Sequence, residues 1–464
     1  MKTKSIIKHR YWCIHYVALV FIVLCFGSCK DDNADSNEFD PKKDVVVTSF
    51  SPKEGGGNTR MILTGTNFGT DPSRIKITIG GLEAKVIGTT GSELYCVVPS
   101  SAYEGTIVLR MLSENDEEIA KTTLDEKFEY QRKVVVSTLL GYKDDKGDFR
   151  VMDGPFDDCG GIERCSWMSF DPKNPKHLYF AADGHAFRLI NFEDSTVTTM
   201  FGNGHNGMDR MRSITWTLTG DTMIIATDKG NDTAESSWTL TRDGGFKNMN
   251  ALTYSRQCNG AAIHPVNGEL YLNSFGAGTV YRYDMETKEQ RSLFNIQDRD
   301  WEFNIAIHPT GNYAYITVVN RHYILRTDYD WANKTFTTPY IVCGDVGNSN
   351  WVDGVGKRAR LSEPYQGVFV KNPEYEGKED EYDYYFCDKM NHAIRILTPD
   401  ARVSTFAGRG SSGTNNNPYG YVNGDLRLEA RFDRPEGIAY DEASKSFYIG
   451  DQENRRIRKI AFEE

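Results

Sequence analysis

From Val45 onward the chain is a succession of short runs in which apolar and polar residues alternate, each bounded by Gly, Pro, Asn or Asp. A period of two is the signature of strands with one buried face, and no stretch carries a sustained helical period. In residues 44–131 the runs are Val45–Phe50, Met61–Leu63, Ile75–Ile79, Ala84–Ile87, Leu94–Val98 and Thr106–Leu112. They are separated by turn residues such as Gly55-Gly56-Gly57 and Gly80-Gly81, a rhythm that predicts a β-sandwich. From residue 132 the rhythm lengthens. A strand, a turn and a second strand rich in Tyr, Ile and Phe recur, with Asp171, Thr217, His264, His308, Lys371 and Asp441 at the turns. The first three spacings are 46, 47 and 44 residues, the length of one four-stranded propeller blade. The last two, 63 and 70, are longer, and the second of them contains the inserted loops 372–383 and 408–431. Six copies predict six blades. Val134–Gly141 parallels Arg402–Gly408, the expected outer strand of blade 5, so it is expected to supply the outer strand of blade 6 and close the ring.

The first segment contains Ser51-Pro52-Lys53-Glu54-Gly55-Gly56, Leu63-Thr64-Gly65-Thr66-Asn67-Phe68-Gly69 and Ile75-Lys76-Ile77-Thr78-Ile79-Gly80-Gly81. These resemble the IPT/TIG family, which implies an immunoglobulin-like fold. In the second segment, Arg434-Pro435-Glu436-Gly437-Ile438-Ala439 followed by Asp451, Asn454 and Arg458 resembles an NHL repeat. The copy at 364–396 matches, with Asp388, Asn391 and Arg395 in the corresponding places, while the earlier copies keep mainly the apolar pattern. The expected fold is therefore all-β, an IPT/TIG sandwich over 44–131 and a six-bladed NHL-type propeller over 132–464.

Residues 1–28 read as a lipoprotein signal peptide. Lys2, Lys4, Lys8 and Arg10 precede an apolar stretch, Val17–Phe26, too short for a membrane span, which needs about 20 residues. Phe26-Gly27-Ser28-Cys29 resembles a lipobox and implies a lipid on Cys29. Lys30-Asp31-Asp32 resembles the surface-export signal of Bacteroidetes lipoproteins, which implies display outside the outer membrane. Residues 29–43 are polar and are expected to act as a flexible tether.

The net charge is −11, and without the four basic residues of the signal peptide the remainder carries −15. So acidic a surface excludes nucleic acid and disfavours anionic ligands unless a local basic pocket holds one. Cys96, Cys159, Cys165, Cys258, Cys343 and Cys387 follow Cys29 without zinc spacing. Cys159 and Cys165 lie close enough for a loop disulfide, though small buried apolar residues are the commoner outcome.

Loops that lead into the innermost strands and turns between second and third strands share one face of such a propeller. Aligned on the repeats, Trp167, Arg212, Asn259, Phe303, Asn304, Tyr365, Gln366 and Glu436 are expected around that mouth. The long loops add Trp301, Trp351, Tyr419 and Tyr421, and the inner turns add His185, Phe275, His322, Asn391 and Asn454. Aromatic faces stack on sugar C–H surfaces and amides bond hydroxyls, so the set suits a glycan. Of the carboxylates a glycosidase needs in pairs, Glu436 and Glu302 are the pair expected nearest the mouth, with Asp209 and Asp300 close in sequence. His264 and His308, in Ile-His-Pro turns, fall on the opposite face and are expected to be structural. Neither a metal nor a cofactor site is expected, and GxSxG, HExxH and P-loop motifs do not occur. The combination resembles accessory lipoproteins of Bacteroidetes polysaccharide-utilisation systems. That implies non-catalytic capture of an oligo- or polysaccharide beside a SusC/SusD-type transporter. A glycan lyase or hydrolase, and a scaffold for a protein partner, are the competing readings.

Overall fold

The computed structural model describes residues 37–410 and 417–463, and the predicted signal peptide and Cys29 lie outside them. The chain divides into two compact units at Tyr130/Gln131. The first is built from the strand path 46–51, 60–66, 93–97, 82–89, 75–79, 107–112 and 118–123, each antiparallel to the next. Alternation does the work predicted for it. Along Arg60–Thr66 every second residue is buried, and Met61 and Leu63 meet Ile75, Ile77, Leu94, Cys96 and Leu109 in one core. Asn67, in the left-handed region (φ 67°), ends the second long strand. Its side chain accepts from the Asp40 N–H (2.7 Å) and donates to the carbonyls of Asp40 and Lys43 (2.9 and 2.7 Å). Phe39 packs against the same core. The expectation of a free tether through residue 43 is thereby corrected. From Asn37 the segment lies on the sandwich, because one ring and one amide give it enough to offset its lost entropy.

The second unit is the six-bladed propeller. The innermost strands are Cys165–Phe170, Met211–Trp216, Ala261–Ile263, Phe303–Ile307, Pro364–Lys371 and Pro435–Asp441. Each starts a four-stranded antiparallel blade. Apolar residues on both faces of each blade form six clusters, one between every pair of neighbours. The cluster joining blades 6 and 1 holds Leu140, Cys165, Met168, Tyr448 and Ile457. Val134–Gly141 pairs antiparallel with Arg456–Phe462, so the N-terminal strand closes the ring as expected. All six described cysteines are buried and unbonded, Cys159 and Cys165 among them. Cys165 fits because Gly437 and Gly450 face it. A Cβ on Gly450 would lie 2.8 Å from the Cys165 sulfur.

The NHL spacing has a local cause, visible in blades 5 and 6. The Asp388 carboxylate accepts from Ser362 N–H (2.7 Å), Asn391 Nδ2 (2.8 Å) and Arg395 Nη1 (2.6 Å). Asp451 accepts from Asp433 N–H (2.7 Å), Asn454 (2.8 Å) and Arg458 (2.8 Å). Both aspartates and both arginines are fully buried. Each arginine then crosses to the loop before its blade, Arg395 to Val352 O and Arg458 to Val422 O. Arg188 in blade 1 makes the equivalent bond to Met152 O (2.7 Å), so that blade keeps the third-strand arginine without the rest of the motif.

Candidate functional site

One end of the propeller axis is closed by a network of charged side chains drawn from five of the six blades. Arg212 of blade 2 stands at its centre, 3.1 Å from Asp183 of blade 1, 2.8 Å from its own blade's Asp228 and 3.1 Å from Glu302 at the start of blade 4. Tyr365 of blade 5, opposite in the ring, donates its hydroxyl to Glu302 (3.0 Å) and lies 3.3 Å from Arg212. Arg164 links Asp183 to Glu436 of blade 6 (3.3 and 3.0 Å). Lys389 holds Glu436 from the other side (2.9 Å) and Glu363 (3.2 Å). Arg210 pairs with Asp228 (2.9 Å) and is half exposed, so it forms part of the rim. Asn259 and Asn304 are both buried; Asn259 lies beside Glu302, and the Asn304 amide nitrogen has no partner among the described residues.

The network has an internal electrostatic logic. Burial pushes the Glu302 carboxyl up, but Arg212, Tyr365 and Lys389 outweigh it and hold the group below the usual range. Burial and the Glu302 charge push the Tyr365 hydroxyl well up, so it stays a donor. Glu302 is therefore a fixed acceptor at neutral pH, unsuited to protonating a leaving group.

Several residues expected at the mouth are placed elsewhere. Trp167 is in the core between blades 1 and 2, and Phe303 in the core between blades 3 and 4. Gln366 is spent on backbone. Its Oε1 accepts from Met168 N–H (2.9 Å) and Ile438 N–H (3.0 Å), and its Nε2 donates to Met168 O (2.7 Å), stitching blade 5 to blades 6 and 1. Asn391 and Asn454 belong to the aspartate–arginine devices described above. Trp351 donates to Thr405 Oγ1 (2.9 Å) and lies under Arg409, while the Tyr421 hydroxyl meets Thr138 (2.8 Å) and its ring meets Arg456. Both lie where loops join outer strands. Trp301 remains a mouth residue. It is 37% exposed, adjoins Glu302 in sequence and carries Arg321 at 5.5 Å. Arg212, Asn259, Asn304, Tyr365 and Glu436 are in or beside the network.

A bulge explains the displacement of Trp167. In blades 1, 2, 5 and 6 the pairing of the innermost strand shifts register near its start, between Cys165 and Trp167 in blade 1 and between Pro435 and Gly437 in blade 6. An extra residue flips the alternation, which sends Trp167 inward. Sequence reasoning missed Arg164, Asp183, Arg210, Asp228, Glu363 and Lys389. Their signal was present one position away: Arg164, Arg210, Glu302 and Glu363 each immediately precede an innermost strand. Asp183, Asp228 and Lys389 each immediately follow a second strand.

His322 ties the mouth to its support. Its Nδ1 accepts the Glu363 N–H (3.1 Å), and burial lowers its pKa from 6.5. His264 on the opposite face, likewise lowered by burial, accepts two backbone N–H groups on Nδ1 and contacts Gly311 O. A depressed histidine pKa means that the unfolded chain binds protons more readily, so stability is full above pH 6.5 and falls as the pH drops below it. Thermal midpoints are expected to decrease between pH 7.5 and 5.5, and His322→Gln, which retains an acceptor that does not titrate, to flatten part of that slope. A slope unchanged in the variant refutes the assignment.

Residues 46–130 match the IPT/TIG domain family. The crystal structure of an auxiliary nutrient binding protein from Bacteroides thetaiotaomicron VPI-5482 is 57% identical. It superposes with a TM-score of 0.87 over 92% of this chain and 100% of that one. The chain belongs to the same family as this Bacteroides protein. An auxiliary nutrient binding protein from Bacteroides ovatus ATCC 8483 is 40% identical (TM-score 0.74, 92% of this chain and 100% of that one). A further B. thetaiotaomicron structure, provisionally named a phosphatase, is 39% identical (TM-score 0.82, 93% and 100%). Among curated proteins, human NHL repeat-containing protein 2 is 29% identical over 113 residues, or 24% of this chain. The chain spans 26% and 14% of the lengths of the curated relatives it matches.

Proposed function

We propose that this protein captures a nutrient glycan at the bacterial surface without cleaving it. In this reading it is held to the outer membrane by lipid on Cys29, faces the exterior and delivers its ligand to a SusC/SusD-type transporter. The observation that carries the binding reading is the mouth. Fixed carboxylates, guanidiniums and the Tyr365 hydroxyl converge from five blades, with Trp301 exposed beside Glu302. Such a surface orients hydroxyl-rich ligands through fixed donors and acceptors and offers one ring for stacking. The description of two relatives as auxiliary nutrient binding proteins supports the same reading.

The test is to titrate the mature chain from Lys30 against plant, host and microbial polysaccharides and to chromatograph the same mixtures. Binding without new products is expected, weakened several-fold by Trp301→Ala. Binding with product release favours a hydrolase, the class to which the phosphatase name of one relative belongs. Failure to bind any glycan sinks the reading and leaves a protein partner.

A further inference from the structure

Every cation of the central network is paired with a carboxylate, but two at the shoulder where the chain leaves blade 5 for blade 6 are not. Arg409 follows the outer strand Arg402–Gly408, and Arg427 lies in the loop beyond it. Both guanidiniums lie against the same Trp351 ring, at 3.9 and 5.6 Å from its centroid. Each is half-buried and each uses one donor on a backbone carbonyl, Arg409 on Asn391 O (3.1 Å) and Arg427 on Gly408 O (2.5 Å). Neither has an ion-pair partner among the described residues, although fifteen negative charges are in excess downstream of the signal peptide. The Arg409 Nε is buried and unpartnered. The nearby Arg395 is already committed to Asp388 and Asp353 (2.6 and 2.8 Å). Segment 411–416, Ser-Ser-Gly-Thr-Asn-Asn, contains no acid that could answer them.

Half-buried cations are ordinarily paired, because desolvation is costly without a counter-charge. Here two lie together. Burial lowers the pKa of both, and Arg395 lowers each further; Asp388 opposes this at Arg409 and Asp353 at Arg427. An oxyanion between them removes the repulsion and takes up the free N–H groups, since guanidinium forks match carboxylate and sulfate oxygens. Trp351 fixes the pair. Its indole N–H is anchored on Thr405, so the ring is a rigid wall for Arg409.

We propose that Trp351, Arg409 and Arg427 form an oxyanion site that takes the carboxylate or sulfate group of an acidic saccharide. The saccharide rests on the glycan reading above; the oxyanion site does not. It gives an acidic protein a local basic pocket, able to select charged glycans that its overall field repels.

Two measurements test this on the mature chain. The first is thermal unfolding in sodium sulfate against sodium chloride at matched ionic strength, for wild type, R409M/R427M and R409K/R427K. Sulfate stabilises proteins generally by exclusion, so the readout is the difference between variants. Wild type is expected to gain several degrees more than the methionine pair, with the lysine pair, which keeps the charge, in between. Equal gains in all three overturn the site, and the chloride midpoints show whether each variant is folded. The second compares retention on charged and neutral partners, polygalacturonate against its methyl ester and dextran sulfate against dextran. Retention of a charged member, lost at least ten-fold in R409M/R427M and weakened by salt, is expected, and which one is retained distinguishes carboxylate from sulfate ester. Equal retention of charged and neutral members overturns the saccharide assignment while the glycan reading stands. A sulfate-specific shift with no polysaccharide retained keeps the oxyanion site and overturns the glycan reading.

Discussion

Arg212→Met is expected to destabilise the propeller by about 3–5 kcal/mol and to abolish ligand binding at the mouth, although methionine fills much of the same volume. Arg212 is 6% exposed and stands within 3.1 Å of Asp183, Asp228 and Glu302. Removing it leaves three carboxylates facing one another, and the loss of a buried ion's partner costs far more than the pair itself contributes. Glu302 loses the largest of the attractions that hold its carboxyl down, so its titration is expected to move up. Arg212→Lys restores the charge without the planar fork, and a partial recovery of stability is expected. Denaturant midpoints measure the first effect and glycan titration the second. A variant that binds normally with an unfolding free energy within about 1 kcal/mol of wild type removes the network from any account of the site.

Val136→Asp is expected to be the most damaging single change outside the mouth, at roughly 4 kcal/mol or more. Val136 is 1% exposed, packs in the cluster between blades 5 and 6 and pairs with Ile460. The strand that carries it is separated from its partner by most of the propeller sequence, so its docking closes the longest loop in the unit. An unpaired carboxylate there both loses burial and exposes the edge of Arg456–Phe462 to other chains. The expected result is loss of the cooperative unfolding transition with aggregation at lower temperature. Ser137→Asp, on the half-exposed face of the same strand, serves as the control and should stay near wild type. Equal effects of the two substitutions would show that the strand is not packed as described.

The parts of this protein written in short-range pattern were legible. Alternation gave the strands of the sandwich, and the six repeats gave the blades. The Asp388–Asn391–Arg395 and Asp451–Asn454–Arg458 devices were found because their members sit three and four residues apart on one turn and one strand, so the spacing is the geometry. Their role was not legible. Asn391 and Asn454 looked like ligand-facing amides until the buried aspartates were seen to consume them. The same is true of Gln366, whose partners Met168 and Ile438 are distant in sequence.

The aromatic candidates show a second limit. Trp167 and Phe303 are large and lie at the expected repeat position, yet both are in cores between blades, Trp167 behind a bulge and Phe303 on an unbroken strand. Nothing in the composition of a strand records a bulge, because the extra residue is placed by its partner strand. Phe39 and Asn67 illustrate the converse. Residues 29–43 looked too polar to pack, but a single ring and a single amide, 28 residues apart, suffice to lay Asn37–Lys43 on the sandwich.

By itself, then, the sequence determined the all-β class, the two units, six blades and the strand that closes them, because each depends on periodicity and on local hydrogen-bond spacing. The tertiary structure alone decided which side chains face the axis, that Arg212 is shared by three carboxylates from different blades, and that Arg409 and Arg427 meet on one indole without a counter-charge. Those facts depend on through-space distances between residues up to 272 positions apart, as between Arg164 and Glu436. Electrostatic pairing is set by such distances and by burial, and neither is carried by the order of residues along a strand.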